Sequence, residues 1–435
     1  MNLLNISFIK DSKLLRGFVS TLLGSSASKI ILMLATFLFA NVMTKYDFGE
    51  FSFVRNTLNT VLCMCALNFT SLCTKFTVEA KEDKRAIGKL IIIFLFSIVV
   101  CLVTGLAILF LPNAVLLQVF SSQTILNSFK IIGVLLPLFI LQPLIEGILR
   151  GLMKFNLIGL LQTLSAIFFV GVVYIGIIIN GIDGALFGII IYYALYAVVS
   201  IVVMVKLNPF GNEIICFKNL GEQHYIISKM IIPIFVMSFF EAPVFWVAQV
   251  VLSNYGSMAA IGSMTAIMQV RNLTILIPTY FVNTFLAFAG EMNAQHRFND
   301  YFAKFRKLSQ MFLIIGVSVA LLMSIFGTFI LGLYGENYKS DIWAMVISNL
   351  GIPMLMLIIL YRIELVIREH QKTLLYISIL WNIIWLVSLY ILLKLGVSPL
   401  HAFFISQLIG WSVNLFGFFM TYLKDRHSLL LNEYC

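Results

Sequence analysis

The sequence is dominated by apolar runs of membrane-spanning length that follow one another with short polar breaks. Of its 435 residues, 61% are hydrophobic and 11% are charged, whereas a soluble domain carries about 25% charged residues. A helix needs ~20 mostly apolar residues to cross a bilayer. Because an aqueous fold could not bury so much apolar surface, the sequence predicts an all-α polytopic membrane protein.

Twelve of these runs are predicted to span the membrane. Glycine, serine and proline inside them indicate packing and bending points rather than loops. The first run is too long for a signal peptide and lacks a small-residue cleavage site, so we expect no cleaved leader. The predicted spans are approximately 14–42, 49–74, 88–111, 128–150, 156–179, 184–206, 225–252, 259–289, 308–332, 341–366, 373–394 and 398–423.

Lysine and arginine concentrate in alternate loops. They are frequent before the first span, after each even-numbered span and at the C-terminus, whereas the opposite loops contain only Lys45, Lys130, Lys339 and Lys394. Since cytoplasmic loops carry the excess of positive charge, both termini are predicted to be cytoplasmic. This topology also accounts for the net charge of +10, so nucleic acid is not an expected partner.

The two halves of the sequence resemble each other weakly. The triplet Val-Arg-Asn at 54–56 recurs at 270–272, and Pro137 is matched by Pro353, both after 216 residues. Six spans separate the matched positions, so the two halves would have the same orientation in the membrane. A parallel repeat of this kind predicts two related helical bundles.

We therefore predict two six-helix bundles, residues 1–210 and 211–435, around a central cavity. In transporters built from such repeats, substrate binds near the middle of the membrane, and the bundles expose the site to each side in turn.

Three cations lie inside the predicted spans rather than at their ends, namely Lys29, Arg55 and Arg271. A charged side chain at mid-bilayer costs at least ~2.5–3.5 kcal/mol on insertion scales. Lys29 and Arg55 could instead reach an interface by snorkelling. Arg271 is deeper and is flanked by Gln269 and Asn272. A cavity lined by these cations would bind an anionic substrate, because the guanidinium group matches phosphate.

Two acidic residues inside the spans are candidates for ion coupling. Glu241 lies beside Pro243 in the seventh span. It could carry a proton, or it could be a static counter-ion for Lys29 or Arg271. Glu146 is the second candidate, although its spacing of four residues from Arg150 also fits a local ion pair.

Arg362 is the fourth candidate for substrate binding. It lies near the inner end of the tenth span, close to Glu364 and Arg368. If Glu364 and Arg368 form a pair, Arg362 would be available to the central cavity or to lipid headgroups.

Signatures of catalysis, cofactors and metals are absent from the sequence. The six cysteines have no metal-ligand spacing, and we interpret them as free thiols. There is no Gly-x-x-x-x-Gly-Lys-Ser/Thr motif, and no loop on the non-cytoplasmic side is long enough for a catalytic domain. We expect no enzymatic activity, no cofactor and no metal site.

Two segments carry a resemblance to a known family. Residues 39–53 read FANVMTKYDFGEFSF, and residues 146–155 read EGILRGLMKF. With these segments and over its whole length, the chain resembles Wzx-type flippases of polysaccharide biosynthesis, within the multidrug/oligosaccharidyl-lipid/polysaccharide exporter (MOP) superfamily. Asn41 departs from the family, in which many members have arginine at this point.

The resemblance implies a function. Such proteins move an undecaprenyl-pyrophosphate-linked oligosaccharide, such as an O-antigen repeat unit, from the cytoplasmic to the periplasmic leaflet of the bacterial inner membrane. Related flippases of peptidoglycan precursors carry cations in the first, second and eighth helices, where this chain has Lys29, Arg55 and Arg271. Membrane lipid, a polysaccharide polymerase and a chain-length regulator are the further partners that the resemblance implies.

The sequence leaves three other functions open. A drug or metabolite exporter of the same superfamily would favour acidic and aromatic cavities for cationic drugs. A membrane polysaccharide polymerase would carry a large periplasmic loop, which this sequence lacks. A sugar facilitator of another twelve-helix fold would carry a Gly-rich Asp-Arg signature after the second span, where residues 77–85 read TVEAKEDKR.

Overall fold

The structure is a computed structural model. It describes the backbone of residues 12–65, 69–80, 85–113, 123–208, 231–294, 298–368 and 370–432. Within these ranges it does not describe the side chains of residues 12–25, 85, 123–125, 128, 232–242, 277, 280–298, 366–367, 371 and 428–432.

The described part of the first half consists mainly of α-helices. Its helices are α1 (Ser12–Val42), α2 (Lys45–Cys65), α3 (Thr70–Glu79), α4 (Arg85–Phe110), α5 (Gln123–Phe139), α6 (Leu141–Gly151) and α7 (Phe155–Leu207).

The described part of the second half is also helical. Its helices are α8 (Ile232–Gly256), α9 (Met258–Ala294), α10 (Phe298–Ile325), the short α11 (Gly327–Gly332), a 3-10 turn (Glu336–Asp341), α12 (Ile342–Ile367), α13 (Gln371–Lys394) and α14 (Pro399–Asn432).

Each predicted span overlaps helix in the part of the chain that the structure describes; residues 66–68 of the second span and 225–230 of the seventh lie outside that part. Within the described residues, eight helical stretches are long and apolar enough to cross a membrane. One of them, Phe155–Leu207, has 53 residues, which is enough for two crossings. Large apolar side chains on α4, α7, α10 and α13 point outward, as expected for faces in contact with lipid. The all-α polytopic fold is thereby confirmed, while the orientation of the termini stays a prediction.

A sharp kink divides α7 into two arms, 155–179 and 182–207. Asn180 has φ −144° and ψ 30°, and Gly181 has φ 55° and ψ −132°. The arms pack so closely that a Cβ on Gly176 would lie 2.2 Å from the carbonyl oxygen of Gly184. Glycine is needed at Gly181 because a side chain disfavours positive φ. The kink separates the fifth predicted span from the sixth.

The chain divides into two compact units. The first comprises Met1–Met43 and Phe53–Ala242, and the second comprises Thr44–Ser52 and Pro243–Cys435. The division agrees with a two-bundle architecture. The predicted domain boundary at 210/211 lies in the segment 209–230, outside the described residues, and it stays a prediction.

The first turns of α2 pack within the second unit. A Cβ on Gly49 would lie 1.8 Å from the carbonyl oxygen of Met258, and a Cβ on Gly262 would lie 2.7 Å from that of Lys45. Two glycines facing each other let the backbones of α2 and α9 approach closely, as small residues do in membrane helix pairs.

Candidate functional site

Arg271 lies near the middle of α9 and is buried in the second unit, with 2% of its surface exposed. Its Nη1 donates to the hydroxyl of Ser348 on α12 at 2.9 Å and to the amide oxygen of Gln407 on α14 at 2.8 Å. Three helices therefore meet at this guanidinium, and both of these acceptors are neutral.

Two aromatic rings of α14 also contact this guanidinium. Its central carbon lies 4.7 Å from the ring centre of Trp411 and 5.9 Å from that of Phe404. A cation over an aromatic face is attracted by the ring quadrupole. No described group accepts a hydrogen bond from Nε of Arg271, so this buried donor of the guanidinium fork is unsatisfied among the described groups.

Arg55 occupies the corresponding position of the repeat, on α2 in the first unit, and it is half-buried. Its guanidinium carbon lies 5.5 Å from the ring centre of Phe169 on the first arm of α7. Tyr192 and Tyr193 of the second arm are near enough to interact with it electrostatically. Each arginine of the repeated triplet therefore lies against an aromatic ring from another helix of its own unit.

Two other cations of the second unit are each paired with a carboxylate. Nζ of Lys45 lies 2.5 Å from Asp341. Arg368 and Glu364 form a buried pair at 3.2 Å. No such carboxylate lies within ion-pair distance of Arg55 or Arg271 among the side chains that the structure describes. The contacts shown for these two positive charges are aromatic faces and, for Arg271, neutral dipoles.

The remaining predicted cations lie elsewhere. Lys29 is near the middle of α1 in the first unit, with an exposed side chain. Arg362 is exposed on α12. It is 14 residues beyond Ser348, or about 21 Å along the helix. The structure therefore does not bring Arg362 to the Arg271 site, although both residues belong to the second unit.

Glu146 is held by several donors in the first unit. The hydroxyl of Tyr196 donates to its Oε1 at 3.1 Å, and the amide of Gln162 donates to its Oε2 at 3.1 Å. Gln142 donates to Oε1 at 3.4 Å. Nη2 of Arg150 lies 3.7 Å from Oε2, so the spacing of four residues does produce an ion pair.

Glu241, the other predicted ion-coupling residue, lies on α8. Its side chain is outside the described residues, so its surroundings remain a prediction. No group of three or more His, Cys, Asp or Glu side chains capable of holding a metal occurs in the described part of the chain.

The sequence did not identify several residues of the Arg271 site. Ser348 and Gln407 are polar residues inside apolar runs, and Trp411 lies one helical turn beyond Gln407. Their position within predicted spans was the only available signal. Ser348 is 77 residues and Gln407 is 136 residues from Arg271 in the sequence. They meet Arg271 because of how the helices pack, and the sequence pattern does not show these contacts.

Sequence comparisons and structural comparisons differ in what they find. No known family model matches the chain, and no curated protein is significantly similar to it in sequence. The structure, however, resembles solved transporters. An inward-facing multidrug resistance transporter of the MATE family, within the MOP superfamily, has a TM-score of 0.75 at 12% identity, covering 92% of this chain and 95% of its own.

Two further solved transporters have similar folds. The outward-facing conformation of a multidrug resistance MATE transporter has a TM-score of 0.67 at 13% identity, covering 95% of this chain and 96% of its own. A MOP superfamily transporter from Pyrococcus furiosus, described as having a binding pocket of reversed polarity, has a TM-score of 0.65 at 14% identity, covering 96% of each chain.

The chain is therefore a multi-pass membrane protein with the fold of MOP-superfamily transporters. The predicted two-bundle fold is confirmed by this likeness. The narrower resemblance to Wzx-type flippases concerns cargo, and a shared fold does not define cargo.

Proposed function

We propose that this protein is a flippase for an undecaprenyl-pyrophosphate-linked oligosaccharide. It would carry the lipid from the cytoplasmic to the periplasmic leaflet of a bacterial inner membrane by alternating access. The protein would break no covalent bond of the cargo. The observation that carries the proposal is the contrast between neutralised cations such as Arg368 and the two cations of the repeat, Arg55 and Arg271.

The energetics of buried charge support an anionic cargo. Burying a charge without a partner is unfavourable by several kcal/mol, and a neighbouring opposite charge offsets part of that cost. Arg271 has neutral acceptors on Nη1 and none on Nε among the described groups. A pyrophosphate oxygen would supply the missing negative charge. It would also use the fork geometry that arginine offers to phosphate.

The exposed Lys29 of the first helix is the third cation proposed to bind the anionic cargo. An exposed ammonium group in mid-helix could meet a phosphate while the lipid tail stays in the bilayer. Coupling to an ion gradient would supply the driving force, since one charge moving through 100 mV yields about 2.3 kcal/mol. Glu241 is the proposed coupling residue. Glu146, with its donors already in place, is the weaker candidate.

A second candidate function is export of a drug or metabolite. It is favoured by the fold, because multidrug transporters share it. A cationic drug would require a carboxylate without a partner, whereas the described unneutralised charges in the two repeat positions are positive. An anionic metabolite would fit the same arginines.

A deletion experiment separates these functions. Deletion of the gene for this chain in its source strain should leave the pyrophosphate-linked glycan on the cytoplasmic face of the membrane. There the glycan would be protected from a glycosidase added to the periplasmic side, so the resistant fraction of the glycan is the quantity to measure. The wild-type chain and Arg306→Gln, a change at an exposed cation of α10, should restore transport, and Arg271→Gln should not. Restoration by Arg271→Gln at normal expression would refute the anion site. Normal glycan export in the deletion strain, together with lost drug resistance, would favour the exporter.

A further inference from the structure

Three tyrosines on the second arm of α7 form a polar cluster inside the first unit. The ring centres of Tyr192 and Tyr193 are 4.9 Å apart, and those of Tyr192 and Tyr196 are 6.1 Å apart. The hydroxyl of Tyr193 donates to Oδ1 of Asn59 on α2 at 3.4 Å. We call Tyr192, Tyr193 and Tyr196, together with Gln162 and Glu146, the tyrosine cluster.

Glu146 organises one end of this cluster. Its carboxylate receives the Tyr196 hydroxyl and the Gln162 amide, each at 3.1 Å. Arg150 lies 3.7 Å away and balances its charge. The carboxylate is therefore a positioned acceptor that orients a phenol and an amide, and the pair of Glu146 and Arg150 contributes no net charge.

Arg55 lies at the other end. The Phe169 ring is 5.5 Å from the Arg55 guanidinium and 5.0 Å from the Tyr192 ring. From Tyr192 to Tyr196 the helix advances one turn, about 6 Å. The Arg55 cation therefore lies near Tyr192, and the tyrosine cluster extends from there through phenol and amide groups of the two arms of α7 to the carboxylate of Glu146 on α6.

The cluster is partly exposed, although Tyr196 is buried. Tyr192, Tyr193 and Gln162 are half-buried rather than closed off. A sugar ring presents an apolar face of C–H bonds and hydroxyls that both donate and accept. Tyrosine offers an apolar ring with a hydroxyl, and glutamine offers a donor and an acceptor on one amide. The two sets of groups are complementary.

We propose that the tyrosine cluster is a binding subsite for the uncharged sugar attached directly to the pyrophosphate, with Arg55 on the phosphate side. This subsite rests on the proposed flippase function. It assigns substrate recognition to Tyr192, Tyr193 and Gln162, and it assigns to Glu146 the positioning of Gln162 and Tyr196.

Two lipids that differ only in the glycan test the subsite. The first is the pyrophosphate-linked glycolipid extracted from the source strain lacking this chain, and the second is undecaprenyl pyrophosphate. Their Kd values would be measured by thermophoresis on the full-length chain in detergent. The variants are Tyr192→Leu, Tyr192→Phe, Gln162→Leu and Arg55→Gln. The matched control is Tyr174→Leu, at a half-buried tyrosine of the first arm of α7 that lies outside the cluster.

The subsite predicts a selective loss. Tyr192→Leu and Gln162→Leu should weaken binding of the glycolipid by about five- to tenfold, the effect of one or two lost contacts, with undecaprenyl pyrophosphate unaffected. Tyr192→Phe, which keeps the ring, should lose less. Arg55→Gln should weaken both lipids, and Tyr174→Leu neither.

Three other outcomes would contradict the subsite or the flippase function. Equal weakening of both lipids by Tyr192→Leu and Gln162→Leu would show that the cluster only holds the helices together, and it would overturn the subsite. An unchanged Kd in both variants would do the same. If the wild-type chain binds neither lipid, or if no glycolipid accumulates, the flippase function itself fails.

Discussion

The guanidinium carbon of Arg271 lies 4.7 Å from the ring centre of Trp411, so the buried positive charge of the second unit is held against an aromatic face. Ser348 and Gln407 add neutral dipoles. This arrangement orients the cation without cancelling its charge, which is what a site for an anionic group requires. A structural ion pair such as Arg368 with Glu364 differs, because there the charge is cancelled within the protein.

This difference predicts that replacing Arg271 lowers transport without lowering the stability of the substrate-free protein. Arg271→Gln should lower glycolipid transport by at least about tenfold, the effect of losing a charged hydrogen bond. It should leave the Tm of the substrate-free protein unchanged or higher, because an unneutralised buried charge is removed. Transport in vesicles and Tm in detergent measure the two effects. A large drop in Tm would mean that Arg271 has a structural role.

The buried pair of Arg368 and Glu364 should behave in the reverse way. Glu364→Gln leaves the Arg368 charge without its ion-pair partner and should cost about 3–5 kcal/mol of stability. The double variant with Glu364→Gln and Arg368→Met should recover much of that loss, because no uncompensated charge remains. Thermal unfolding of the three proteins tests this coupling. Additive losses in the double variant would contradict it.

The contact of α2 with α9 predicts that Gly49 tolerates no side chain. Gly49→Ala would place a Cβ 1.8 Å from the carbonyl oxygen of Met258, and overpacking of this kind typically costs about 1–3 kcal/mol. Gly88→Ala is the matched control, since a Cβ there meets nothing within 4 Å. The yield of folded protein and its Tm should fall for Gly49→Ala and not for Gly88→Ala.

The kink of α7 predicts a backbone effect at Gly181. Its φ of 55° and ψ of −132° belong to a region that costs other residues about 1–3 kcal/mol. Gly181→Ala should therefore lower Tm, although a Cβ at this position would meet no neighbour within 4 Å. Gly171→Ala, in the regular first arm and equally free of neighbours, should not. Equal Tm values for the two variants would argue against the kinked backbone.

Local patterns in the sequence were sufficient for some features of this protein. Apolar runs of spanning length imply membrane helices whatever their packing, because each backbone hydrogen bond is closed within its own helix. The insertion cost of Arg55 and Arg271 depends on their depth in the membrane. Their positions inside apolar runs were therefore enough to identify them as candidate functional residues. The four-residue spacings likewise predicted the pairs of Glu146 with Arg150 and of Glu364 with Arg368.

Tertiary structure alone decided the surroundings of Lys45, Arg55 and Arg271. Lys45, assigned from loop charge to the non-cytoplasmic side, pairs with Asp341, which is 296 residues away. The sequence pattern does not show that Arg271 meets Ser348, Gln407 and Trp411, or that Tyr192 joins Phe169 beside Arg55. Helix periodicity records which face of a helix is apolar, but partners from distant helices depend on how those helices pack. Whether Lys45, Arg55 and Arg271 are neutralised was therefore decided only by packing.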